Sequence, residues 1–351
     1  MKLLVTGASG FLGKYVIAEA VRHGHDVRAV VRGGSLFQDL QRPVELAQVD
    51  LRSSRGLTQA VSGIDAVIHL AAAKSGDLYT QLAGTVVATE NLLAAMSEAA
   101  VRQIVHISSF AVYDPMRLPS FSLLDEDAAL DDPLGDRDEY AITKILQEKL
   151  VVDYARKNSW RWTVLRPGML YGPGNLFNAR VGLRMGTGWW LRTGAWARIP
   201  LNYVENCAEA ILLAVENPQA DGQIFNVVDD ELPTQRRYAR LIARRTVPRP
   251  RIFPVSWTIM RLIARSAWLM NRAILGGRAK IPGIFVPSRL HARCKPLRYS
   301  NAKIKSVLGW TPRYGLIEAL DRSVAVSAPA AGAVQQGYQQ SNLVESSGGP
   351  A

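Results

Sequence analysis

Tyr140 and Lys144 are four residues apart in Tyr140-Ala141-Ile142-Thr143-Lys144, so a helix here projects both side chains from one face. A free phenol titrates at about 10. An ammonium beside it favours the phenolate, which lets the tyrosine exchange a proton with an alcohol or a carbonyl near neutral pH. Ser109 follows the strand pattern Ile104 to Ser108, at the carboxyl edge where open α/β sheets place ligands. Its hydroxyl is suited to orient a substrate oxygen, with Ser108 as the alternative. Ser109, Tyr140 and Lys144 are the expected catalytic residues.

A second group of residues points to a bound dinucleotide. Thr6-Gly7-Ala8-Ser9-Gly10-Phe11-Leu12-Gly13 spaces its glycines by three, directly after a strand and at a helix start. Such glycines permit a tight turn, a close backbone approach to pyrophosphate and close packing of helix on strand. The helix amino terminus adds free N–H groups and partial positive charge. A cationic nicotinamide ring would assist Lys144 in favouring the Tyr140 phenolate. An NAD site usually ends its second strand in an acid, but Val27-Arg28-Ala29-Val30-Val31-Arg32-Gly33-Gly34-Ser35 supplies a guanidinium and a hydroxyl instead. These suit a 2′-phosphate, so NADP(H) is expected ahead of NAD(H). Asp50, closing the third strand, either meets the adenine amino group or is a plain loop carboxylate.

The elements that must carry these residues are short apolar runs at Lys2 to Val5, Val27 to Val31, Val44 to Val49, Ala66 to Leu70, Ile104 to Ile107 and Thr163 to Leu165. Helical patterns separate them, and this alternation predicts an α/β fold with a doubly wound parallel sheet. Beyond Pro167, Gly- and Trp-rich sequence breaks the rhythm before one more helix, Cys207 to Glu216, and a strand, Gln223 to Val228. The expected division is a nucleotide domain over 1–168, to which 199–230 returns. A smaller, interleaved substrate domain takes 169–198 and 231–322, and 323–351 is expected to be a disordered tail poor in large apolar residues.

Composition excludes several classes. With 48% hydrophobic and 21% charged residues the chain is neither disordered nor fibrous overall. Cys207 and Cys294 are the two cysteines, too few for a disulfide framework or a cysteine metal cluster, and no metal site is expected. The apolar start is too short for a signal peptide and no apolar run is long enough to span a bilayer, so a cytoplasmic location is expected, with membrane association as a variant of it. The net charge of +12 is uneven: between Glu231 and Glu318 stand 19 Lys/Arg and no acidic residue. That segment predicts an anionic partner.

Within it, Ser256 to Leu275 reads as a helix with Arg261, Arg265 and Arg272 on one stripe and Trp268 between them. The first expectation is a substrate-domain helix that packs its apolar faces inward and shows arginine to solvent or to a substrate phosphate. The second is peripheral contact with an anionic membrane through the basic segment 236–313.

TGASGFLG near the amino terminus, HLAAA at His69 to Ala73, HISSFAVY ending at Tyr113, YAITK at Tyr140 to Lys144 and LRPGMLYGPG at Leu165 to Gly174 together resemble an extended short-chain dehydrogenase/reductase of the NAD-dependent epimerase/dehydratase type. YVENCAEAI from Tyr203, FNVVDDELPT from Phe225 and LRYSNAKIKSVLGWTPR ending at Arg313 are similar to signatures of that family and of its 3β-hydroxysteroid dehydrogenase branch. The resemblance covers about residues 2 to 322. It implies a Rossmann-type sheet, with Gly7, Gly10, Phe11, Leu12 and Gly13 at the pyrophosphate, Arg32 at the ribose phosphate and Asp50 and Leu51 at adenine. It further implies Leu70, Ala71 and Ala72 along the cofactor, Tyr140 and Lys144 at cofactor and substrate alike, and Pro167 and Gly168 near the nicotinamide.

Two positions depart from the family pattern. Thr85 stands where an asparagine is common, four residues before Thr89, which puts a water-mediated role there in doubt. Phe110-Ala111 follow the active-site serine where sugar dehydratases carry an acidic pair, which excludes elimination of water. What remains is hydride transfer at a secondary alcohol or ketone carbon, as a net oxidoreductase or as an epimerase. A nucleotide sugar is the first expected substrate and a steroid-like or lipid-linked alcohol the second. A non-catalytic cofactor-binding protein is the reading from another class, against which the intact Tyr140 and Lys144 stand. Nucleic-acid binding lacks any supporting motif. A small anionic molecule is thus the expected partner, and a homodimer is the assembly left open.

Overall fold

The computed structural model describes residues 1–33, 43–132, 138–178, 180–185, 188–275 and 283–327. Seven parallel strands form the main sheet in the spatial order Gln223–Val227, Arg161–Pro167, Gln103–Ile107, Ala66–His69, Lys2–Thr6, Asp26–Val31 and Glu45–Gln48. The inner strands read as continuous apolar runs because helices cover both faces, and Ala66–His69 and Gln103–Ile107 are buried throughout. On one face Val16, Ile17 and Ala20 of the helix Phe11–Arg22 share a core with Ile211 and Leu212 of the helix Val204–Glu216. On the other, Leu92, Leu93 and Met96 of the helix Ala88–Glu98 pack with Val151 of the helix Glu139–Lys157 and with Trp162. Each large apolar side chain so buried contributes about 1.5–3 kcal/mol.

After Pro167 the chain leaves this sheet and returns. Leu183–Met185 and Trp189–Thr193 belong to a three-stranded sheet completed by Arg251–Val255. Between those excursions Leu201–Tyr203 pairs with Met169–Tyr171, and Gln223–Val227 rejoins the main sheet beside Arg161–Pro167. The crossing at Gly168 is close: a β-carbon there would overlap the Pro200 carbonyl.

Two expectations are corrected. The helix Leu316–Ser327 carries order past residue 322, with Ser323 fully buried, so the expected tail cannot begin at 323; residues 328–351 lie outside the described residues. The helix Trp257–Leu275 does form, but it turns its larger apolar face outward: Ile259, Leu262, Ile263, Leu269, Met270 and Ile274 are all exposed. The side that packs inward is the smaller one, with Met260 and Ala264 clustered against Leu290 and Cys294.

Candidate active site

The parallel register brings the carboxyl ends of Lys2–Thr6, Ala66–His69, Gln103–Ile107 and Arg161–Pro167 to one edge of the sheet. At that edge Gly7 takes a φ of +67°, and a β-carbon there would lie 2.9 Å from the Ala71 backbone nitrogen. Gly10 N–H donates to the Gly7 carbonyl at 2.9 Å, and a β-carbon on Gly13 would overlap the carbonyls of Gly7 and Ala8. Gly7 and Gly13 are therefore required by the turn itself, and Gly10 leaves room where a β-carbon would come within 3.0 Å of the Gly7 carbonyl. The helix Phe11–Arg22 begins without a side-chain cap and without an acid in its first turn. Its N–H groups and positive end are left for an anion, which fits a pyrophosphate cradled over Gly10, Phe11, Leu12 and Gly13.

Arg32 is exposed one residue beyond the strand Asp26–Val31, and its charge reaches Asp50. Asp50 is already committed: its carboxylate accepts from the Arg52 guanidinium at 2.6 and 3.0 Å, and that pairing lowers its pKa. Leu51 is buried beside it. Gly34 and Ser35, expected next to Arg32, lie outside the described residues. Leu70, Ala71 and Ala72 leave the strand Ala66–His69 half-buried, tied down where Ala71 N–H donates to Thr6 Oγ1 at 3.3 Å.

Asp138 caps the helix Glu139–Lys157, accepting from Ala141 N–H at 2.9 Å, and so fixes where Tyr140 enters the site. The Tyr140 phenol lies beside the Ser109 hydroxyl. Burial raises the phenol's pKa, the neighbouring Ser109 hydroxyl works against that rise, and Asp138 adds to it. Ser109 Oγ also accepts from Ala111 N–H at 3.1 Å, capping the short turn Phe110–Val112. The alternative serine is occupied elsewhere. Ser108 Oγ donates to Glu148 Oε2 at 2.5 Å, and Glu148 is locked to Arg166 by a buried ion pair. Arg166 in turn donates to the Tyr113 hydroxyl at 2.9 Å.

Lys144, 2% exposed, lies one helical turn beyond Tyr140, and burial brings its pKa down to about 7. Its ammonium donates to the Ile107 carbonyl at 2.7 Å and to Gln147 Oε1 at 2.5 Å. Gln147 is a residue that sequence reasoning missed. Its Nε2 donates to the Ala71 carbonyl at 3.0 Å and to Thr89 Oγ1 at 2.8 Å, and Thr89 lies 2.8 Å from His69 Nε2. At the departure noted above, Thr85 Oγ1 accepts from Ala73 N–H at 2.9 Å and its carbonyl from Thr89 Oγ1 at 2.6 Å. The lysine, the backbone at Ala71 and Ala73, and the strand end at His69 are joined through these side chains.

Pro167 and Gly168 stand at the same edge. Arginines that the sequence did not single out gather near the amino end of the helix Glu139–Lys157. Arg293 feels the charges of Asp138, Arg180 and Arg289; Arg180 lies near the Tyr299 phenol, and Arg289 lies 3.9 Å from Glu139. At the opposite, amino-terminal end of the strands, His23 and His25 both reach Glu216 Oε1, at 2.8 and 2.7 Å, the three offering ligand atoms within 4.8 Å.

Residues 3–227 match the model of the NAD dependent epimerase/dehydratase family. The chain is 30% identical to a 2-alkyl-3-oxoalkanoate reductase of Stenotrophomonas maltophilia (strain K279a), over 93% of this chain and 100% of that one. It is 27% identical to a 3 beta-hydroxysteroid dehydrogenase/Delta 5-->4-isomerase of Mycobacterium tuberculosis, over 91% and 88% of the two chains. Among solved structures, the Thermus thermophilus UDP-glucose 4-epimerase in complex with NAD superimposes with a TM-score of 0.70 at 20% identity, covering 94% of this chain and all of that one.

Proposed function

From the premise that this chain belongs to the NAD dependent epimerase/dehydratase family, and is an NAD(P)-dependent enzyme, we propose that it transfers hydride between NADP(H) and a secondary alcohol or ketone through Ser109, Tyr140 and Lys144. The single observation that carries this reading is the placement of the Ser109 hydroxyl beside the Tyr140 phenol, one helical turn from a buried lysine. Bound NADPH supplies the hydride. In the reducing direction the Ser109 hydroxyl donates to the substrate carbonyl oxygen and holds it, and Tyr140 delivers its proton to that oxygen as the carbonyl becomes an alcohol. Lys144 stabilises the phenolate left behind. Arg32 supports the NADP(H) preference, since it places a guanidinium where an NAD site needs an acid.

The substrate we propose is amphiphilic, with an anionic group for Arg180 and Arg293 and an apolar part of lipid character. Relatives alike over nearly the whole chain, named as an oxoalkanoate reductase and a hydroxysteroid dehydrogenase, support this side of the expected pair. The same arginines also favour a second reading, a nucleotide sugar whose diphosphate they clamp. Peripheral membrane contact through the basic segment 236–313 belongs with the first reading. The deciding experiment offers long-chain 3-oxo acids, hydroxysteroids and UDP-hexoses with NADPH and with NADH, following nicotinamide absorbance and product stereochemistry together. Net oxidation or reduction of the apolar substrates supports the first reading; inversion of a UDP-hexose without net absorbance change replaces it with the second.

A further inference from the structure

The helix Trp257–Leu275 has three sides with three chemistries. At about 100° per residue, Ile259, Leu262, Ile263, Leu269, Met270, Ala273 and Ile274 fall within a sector of about 140°. All seven are exposed, Ile274 at 72%. Met260, Ala264 and Asn271 fall on a second sector and are buried against the rest of the protein. Arg261, Arg265 and Arg272 fall between the two, all exposed, with the Arg272 guanidinium resting over the Trp268 ring at 4.8 Å. Phe253, on the strand leading into the helix, adds another exposed aromatic ring at 57%.

A soluble surface does not ordinarily concentrate six large aliphatic side chains on one stripe, and a stripe of this kind marks an interface. The charge around it selects the occupant. A row of arginines borders the stripe, and the segment that contains it holds 19 Lys/Arg and no acid. A second copy of the chain would bring like charge against like. An anionic lipid surface instead accepts the aliphatic stripe among its acyl chains and the arginines at its phosphates. Among the described residues no helix is long and apolar enough to cross a membrane, so the contact would be with one face of the bilayer.

We infer that the helix Trp257–Leu275 is an interfacial anchor, lying in the plane of an anionic membrane with its aliphatic stripe inserted and Arg261, Arg265 and Arg272 at the phosphate level. The inference rests on the lipid-side reading of the basic segment, but vesicle binding is measured without substrate or turnover, so either can fail alone.

The test is co-sedimentation of the full chain with phosphatidylcholine vesicles containing or lacking phosphatidylglycerol, at low and high salt. Three proteins are compared: the parent, R261Q/R265Q/R272Q, and L262S/L269S/I274S. All six positions are exposed, and circular dichroism establishes that the variants are folded. The expected result is binding to the anionic vesicles alone, weakened by salt. The arginine variant should lose roughly a hundredfold in affinity, and the serine variant should lose binding at all salts. No binding of the parent to anionic vesicles at low salt overturns the inference. So does a parent dimer that the serine variant converts to monomer, because the stripe would then belong to a second copy.

Discussion

Gln147 Oε1 accepts a hydrogen bond from Lys144 Nζ at 2.5 Å, on the same helix and three residues further on. The other end of the amide reaches the Ala71 carbonyl and Thr89, so Gln147 couples the lysine to the segment that follows the strand Ala66–His69, and we expect it to act as a positioning residue. Replacing it with Glu puts negative charge beside the ammonium and raises the lysine pKa above about 7. The pH–rate limb governed by Lys144 should move upward in Q147E, and Q147A should lose about tenfold in turnover. A merely structural role would lower activity without moving that limb, so superimposable pH profiles would remove Gln147 from the account.

Asp229 gives a stability prediction with a definite sign. Burial raises its carboxyl from 3.8 to about 7, while the Asn206 amide and the Tyr203 N–H oppose the rise by donating hydrogen bonds to it at 2.9 Å. Between those values the folded state keeps a proton that the unfolded state has released. The contribution is fully present below about pH 4 and is lost as pH rises through about 7. Asp229→Asn cannot ionise. Urea unfolding at about pH 5 and about pH 8 should therefore show a smaller drop in the variant than in the parent, whatever the variant's absolute stability. An equal drop in both proteins would show that Asp229 is ionised throughout.

Arg32→Asp tests cofactor choice. A charge-assisted hydrogen bond is worth about 1.5–3 kcal/mol, so the parent should bind NADPH roughly ten- to a hundredfold more tightly than NADH. The variant should equalise or reverse that order. Calorimetric titration decides, and equal affinities in the parent would leave the cofactor as NAD(P) without preference.

Gly13→Ala places a β-carbon into the carbonyls of Gly7 and Ala8, which are backbone and cannot swing aside. The loop must shift, at a cost of about 1–3 kcal/mol. Thermal unfolding should drop and nicotinamide cofactor affinity should fall with it. Parent-like values for both would mean that the turn has slack that its geometry does not show.

Local pattern made the sheet, and the helix that carries Tyr140 and Lys144 four residues apart, readable in advance. A four-residue spacing on a helix and a serine at a strand end are short-range facts, and the runs at Ala66 and Ile104 are largely apolar and buried throughout because both sheet faces are covered. Gln147 was not readable, since its partners Ala71 and Thr89 are distant in sequence and meet it only through the packing of helix on sheet. The helix Trp257–Leu275 shows a different limit. Periodicity separated its apolar sectors but could not say which one met the core, and the smaller sector won because Met260 and Ala264 fit against Leu290 and Cys294. The pairing of Asp50 was not readable either: Arg52, two residues on, donates to both of its carboxylate oxygens.

The most direct measurement of the central claim is turnover by Tyr140→Phe, read beside its NADPH affinity, with the substrate that the parent uses best. The substitution removes the hydroxyl beside Ser109 and leaves the ring in place. General acid–base transfer contributes roughly a hundred- to ten-thousandfold, so turnover should fall by that order while NADPH affinity and thermal unfolding stay close to the parent's. Ser109→Ala, which removes orientation but not the transferred proton, should fall less. Tyr140→Phe turning over within about twofold of the parent, with cofactor still bound, would contradict the account.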